Sequence, residues 1–149
     1  MTEPRINANE HERKHWDLCH EIVRVFYDVY NELGYGFLEA LYEEALARAL
    51  RYAGFNVDRQ IPTPIWFRGF VIGEYKADLL VNKAVLLELK AAQGIDPSHK
   101  AQLLNYLRAT EIEVGLLLNF GPKPLFHRFV FENNRKGIRG DSRSFAAKQ

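Results

Sequence analysis

The stretch KADLLVNKAVLLELK, Lys76 to Lys90, constrains the fold more than any other part of the chain. Two apolar runs flank a short polar turn, the pattern of a β-hairpin. Pairing about a three-residue loop at Asn82, Lys83 and Ala84 sorts the side chains by alternation. Tyr75, Ala77, Leu79, Val81, Val85, Leu87, Leu89 and Ala91 then share one wholly apolar face. Lys76, Asp78, Leu80, Leu86, Glu88 and Lys90 share the other. A two-residue loop at Asn82-Lys83 would place Asp78 and Glu88 on opposite faces, so the apolar face selects the longer loop. Leu80 and Leu86 on the charged face mean that it is not simply turned to solvent.

The flanking segments can cover both faces of such a sheet. From about His15 to Leu33, Trp16, Cys19, Ile22, Val23, Phe26, Tyr27, Tyr30 and Leu33 recur at helical spacing. A second amphipathic helix runs from about Phe37 to Ala53, with Gly54 as its stop signal. Asn56 to Pro62 and Ile65 to Phe67 are candidate strands before the hairpin strands, Phe70 to Val81 and Ala84 to Ala92. Asp96-Pro97 is an N-cap with proline at the first helical position, opening a helix to about Ala109. Strands at Glu113 to Phe120 and Leu125 to Glu132 close the pattern. Helices before and after a mixed sheet give an α/β class.

At 149 residues the chain reads as one domain, bounded at 15–134 by an N-terminal extension, 1–14, and a basic tail, 135–149. The tail reads as a mobile, solvated end, with a phosphate-contacting arm as the lesser reading. A net charge of +1 supplies no global basic field, so charge neither favours nor excludes nucleic acid. The single cysteine, Cys19, excludes an intrachain disulfide and a Cys-rich zinc site, and its apolar stripe marks it as a buried, inert thiol. No charged-then-apolar leader opens the sequence and no apolar run approaches membrane length, so no membrane partner and a cytoplasmic location are expected.

The two acids are the chemistry-bearing feature. Directly opposed side chains in a hairpin have Cβ atoms about 4.5–5.5 Å apart, and like charges there repel. Two carboxylates so placed share a proton or hold a cation. Hard oxygen ligands suit Mg²⁺ or Mn²⁺. Lys90, two residues from Glu88 on the same face, partly answers their charge. A surface ion cluster is the bland alternative; the apolar flanks and the matched pair favour a site. A glycosidase also uses paired carboxylates, but the adjacent Lys90 and the lack of an aromatic sugar platform argue against one.

Asp78 followed by Glu88-Leu89-Lys90 resembles the split motif of the PD-(D/E)XK nuclease superfamily, with Ala77 where that motif has proline. Gly36-Phe37-Leu38-Glu39-Ala40-Leu41-Tyr42 resembles the signature of the bacterial GxxExxY protein family, a branch of it. Gln102-Leu103-Leu104-Asn105-Tyr106 resembles the Q-x-x-x-Y helix motif of recombination-type exonucleases. The resemblance spans about Val23 to Glu132. It implies a restriction-endonuclease-like mixed central sheet flanked by helices on both faces, and a Mg²⁺- or Mn²⁺-dependent nuclease acting on DNA in preference to RNA. Asp78, Glu88, the Leu89 carbonyl and Glu39 would hold the metal. Lys90 would orient water or stabilise the transition state, and Gln102 and Tyr106 would contact the substrate backbone or orient the lysine. By spacing, those two face away from Leu103, Leu104 and Leu107. Tyr42 reads as a core aromatic with a tied hydroxyl, and His99 as an incidental polar residue. The competing class is a non-catalytic nucleic-acid-binding or interaction module on the same fold.

Overall fold

The computed structural model describes residues 13–136, so the expected extension and tail lie outside it apart from their inner ends. Helices α1 (Trp16–Leu33) and α2 (Glu39–Tyr52) precede strands β1 (Val57–Phe67), β2 (Phe70–Val81) and β3 (Val85–Lys90). Helix α3 (Pro97–Ala109), strands β4 (Val114–Phe120) and β5 (Pro124–Val130), and a 3-10 turn at Asn133–Arg135 follow. The sheet order is β1-β2-β3-β4-β5. Only β3 and β4 run parallel, with α3 as their crossover. The α/β reading with a mixed central sheet holds.

The two faces have separate cores. Cys19, Ile22 and Phe26 of α1 and Tyr42, Leu46 and Leu50 of α2 pack on Leu79, Val81, Leu87, Leu89, Leu116 and Leu118. Leu103, Tyr106 and Leu107 of α3 pack on Ala77, Leu86 and Leu117 from the other side. Strands β3 and β4 are sandwiched between these layers, and so read as almost unbroken apolar runs. Tyr42 is fully buried, stacks on Phe120 and donates its hydroxyl to the Gly34 carbonyl at 2.6 Å, the core role expected of it. Cys19 is buried as expected, and burial pushes its thiol pKa up.

The hairpin register is the expected one. Leu79, Leu80 and Val81 pair with Leu87, Leu86 and Val85, leaving residues 82–84 as the loop. Asn82 and Lys83 take left-handed backbones, φ 53° and 55°, and the Ala84 N–H donates to the Val81 carbonyl. Asparagine suits this place, since its Oδ1 also accepts the Asn56 N–H.

Three expectations need correction. The two short strands before the hairpin are one strand, β1, running through Pro62 and Pro64. It lies at the sheet edge, where a missing N–H on the open side costs no ladder bond. Secondly, Tyr75 and Ala77 do not share a face with Leu79 and Val81. They pack with Leu86 beneath α3, while Leu79 and Val81 pack against α1 and α2. The β1–β2 ribbon turns over at Gln60 and Asp78, and Gln60 has φ 50°. Thirdly, the inner end of the basic tail is not solvated: Lys136 is buried and donates to the carbonyls of Thr110 and Ile112. Among the described residues, no helix is long and apolar enough to cross a membrane.

Candidate active site

The β2–β3 ladder ends at Leu79 and Leu87, one step before the two acids. Beyond it β2 diverges with β1, and β3 stays with β4, where Glu88 lies beside Leu117 and Lys90 beside Asn119. Asp78 and Glu88 occupy the fork. Each carboxylate reaches the backbone of the other strand. Asp78 Oδ2 accepts the Leu89 N–H at 2.8 Å, and Glu88 Oε2 lies 3.4 Å from the Asp78 N.

Their surroundings disfavour two negative charges. Burial, followed by the charge of Asp78, pushes the Glu88 pKa up to about 7; the nearby Tyr75 hydroxyl, the Asp78 N–H and Lys90 only partly oppose this. Burial also raises Asp78, with Glu43 and Glu39 adding to it and the Leu89 N–H and Lys90 opposing. Tyr75 is raised by its own burial and by Glu88. Lys90 is half-buried at the end of β3 and forms no ion pair within 4 Å among the described residues. The chain just after it is pinned: Asn119, fully buried, accepts from the Ala92 N–H and donates to the Ala92 carbonyl. Gly121 permits this, since a Cβ there would stand 2.1 Å from the Ala92 oxygen.

Glu39, in the first turn of α2, is exposed, and its Oε2 reaches the Ala91 N–H at 3.4 Å. One turn on, Glu43 is buried at 8% exposure and takes Arg59 Nε and Nη2 and Gln60 Nε2. Glu43 and Gln60 were not singled out as site residues by sequence reasoning. The only signal was that Glu43 shares a helix face with Glu39 and Tyr42.

The Q-x-x-x-Y pair divides. Gln102 is exposed and lines an open groove between α3 and the β1–β2 ribbon, with Tyr75 and Asn105. Tyr106 is 4% exposed and packs alongside Leu103 and Leu107, which corrects the expectation that it faces away from them. Its hydroxyl accepts from Thr63 Oγ1 at 2.9 Å and its ring lies against Tyr75. Thr63→Val should therefore lower stability by about 1–2 kcal/mol, because it strands a buried hydroxyl; urea denaturation checks this. His99 closes a capping box: its Nδ1 accepts the Asp96 N–H while Asp96 caps the helix.

The family model of the PD-(D/E)XK nuclease superfamily matches residues 16–129. The chain belongs to that superfamily. Among solved structures, the crystal structure of SSO0001 is similar in fold, with a TM-score of 0.51 and 18% identity. The match covers 71% of this chain and 57% of that one, so the chain spans little more than half of its length. No curated protein matches.

PD-(D/E)XK nucleases generally use divalent metals, and the donor set at the fork fits one. Among the described residues no three His, Cys, Asp or Glu side chains gather into a metal-holding group. Mg²⁺, however, keeps several waters and takes only one or two carboxylates beside substrate phosphates. Asp78 and Glu88 are such a pair, and their mutual charge is what a cation would relieve.

Proposed function

We propose that this PD-(D/E)XK protein, which we place in the GxxExxY branch, is a Mg²⁺- or Mn²⁺-dependent nuclease. It hydrolyses phosphodiester bonds in DNA in preference to RNA, in the cytoplasm, and its working unit is the domain 15–134. The supporting observation is the fork between β2 and β3, where two carboxylates interlock beside a lysine with no ion-pair partner among the described residues. The preference for DNA rests on the likeness of Gln102 to Tyr106 to the recombination-type exonuclease motif.

Asp78 and Glu88, with the Leu89 carbonyl, would hold the ion, and Glu39, which does not gather with the two acids and reaches the Ala91 N–H, would meet it through a water. When bound, the ion supplies Lewis-acid charge at the scissile phosphate. The Lys90 ammonium donates to the attacking water or to a phosphate oxygen as charge builds there. Exposed Gln102 contacts the substrate backbone from α3. Tyr106, being buried, acts by supporting Tyr75 beside Glu88 rather than by contact of its own.

A cleavage screen over single- and double-stranded DNA and RNA tests the reading. Cleavage is expected with Mg²⁺ or Mn²⁺ and none in EDTA, with DNA cut faster than RNA. No cleavage, and no Mn²⁺ bound at millimolar concentration, would leave a binding or interaction module on a nuclease fold.

A further inference from the structure

We infer that Gln60 is a positioning residue for Asp78, acting through its left-handed backbone from the opposite strand. The inference rests on the reading of Asp78 as a metal-holding acid, and four observations lead to it.

Gln60 has φ 50°, a region that a long, unbranched L side chain rarely enters. Such outliers persist only where their surroundings enforce them. Its surroundings do so: Gln60 Nε2 donates to Glu43 Oε1 at 2.8 Å, and Glu43 is itself held by Arg59 Nε and Nη2. The residue directly across the ribbon is Asp78. Arg59 pairs with Leu79 and Ile61 with Ala77 in one continuous register, and only the pair between them is missing from the ladder.

The faces also invert across that gap in both strands. Arg59 and Leu79 look toward α2, whereas Ile61 and Ala77 pack beneath α3. Asp78 therefore stands at the seam, bound to neither core. Its carboxylate turns into the fork to meet the Leu89 N–H, and its own N–H points at Glu88. Proline before the acid would interrupt the ladder by lacking an N–H. Here Ala77 keeps its partner, Ile61, and the interruption comes from across the ribbon.

Amide hydrogen exchange in EDTA and Mn²⁺ titration of the folded protein test this together. Gln60→Val places a β-branched residue where a left-handed backbone is strongly disfavoured, so β1 should extend through position 60. Leu89 N–H protection should then fall about tenfold, the effect of one lost bond to a charged acceptor. Mn²⁺ affinity should fall about 10- to 100-fold, the scale for residues that orient a metal's ligands. Amides of β4 should keep their protection. Gln60→Gly, which adopts positive φ freely, should stay within a few-fold of wild type in both readouts.

Wild-type behaviour of Gln60→Val, or equal losses in Gln60→Gly and Gln60→Val, would overturn the inference. If Gln60→Val does not fold, Gln60→Ala carries the same expectation without a branched side chain. A wild type that binds no Mn²⁺, with Leu89 protection still differing between the two variants, would sustain the positioning role and overturn only the nuclease reading.

Discussion

Lys90→Ala is expected to lose cleavage by about 10²–10³-fold, the scale of one electrostatic stabiliser of a transition state, while Mn²⁺ affinity stays within a few-fold. Lys90 sits two residues beyond Glu88 at the end of β3, half-buried and without an ion-pair partner among the described residues. Its removal therefore breaks no ion pair among the described residues. It does withdraw a positive charge that both acids feel and that would repel a cation held between them, and so a small gain of metal binding is built into the expectation. Glu88→Ala should instead lose cleavage and Mn²⁺ binding together. The contrast between the two variants separates catalysis from binding, provided circular dichroism shows both folded. Wild-type rates for Lys90→Ala would return the lysine to the protein surface and leave the nuclease reading without a mechanism.

Glu88→Gln should stabilise the metal-free protein at pH 8 and abolish its response to metal. The folded-state pKa of Glu88 lies at about 7, raised above its ordinary value of 4.5 by burial and by Asp78. The native state thus holds this proton more tightly than the unfolded chain. The resulting stabilisation is full below pH 4.5 and is lost as the pH rises through 7. The difference corresponds to about 3 kcal/mol, as an order of magnitude. Glutamine stays neutral, still accepts from the Asp78 N–H, and can donate toward Tyr75. In EDTA the variant should match wild type near pH 4.5 and exceed it above pH 7. Adding Mn²⁺ should stabilise the wild type by mass action, by about 2.7 kcal/mol at a hundredfold excess over Kd, and so raise its Tm with concentration. It should leave Glu88→Gln unmoved. A variant that kept the full shift would remove Glu88 from the site.

Much of this was legible in the sequence because it depends on local periodicity. The three-residue loop at 82–84 followed from keeping one face apolar, and the β2–β3 register agrees. The Asp96-Pro97 helix start followed from capping chemistry and is present with its side-chain bonds. The layout of helices on both faces followed from element order. Alternation misleads where a strand breaks it. Alternation groups Tyr75 and Ala77 with Leu79 because nothing in the letters marks Gln60 as left-handed; glycine or asparagine is the usual signal. Helical spacing puts Tyr106 on the outer face of α3 because spacing does not say how wide a stripe the sheet and ribbon bury.

The sequence by itself determined the superfamily and the strand that carries Glu88 and Lys90. These depend on residue identity and on spacing along one or two elements. Only the tertiary structure decided how Asp78 meets Glu88. That meeting needs the β1–β2 ribbon to turn over at Gln60, and Gln60 is held by Glu43, 17 residues earlier on a different element. A left-handed backbone at a glutamine is unfavourable locally and persists only because contacts distant in sequence enforce it.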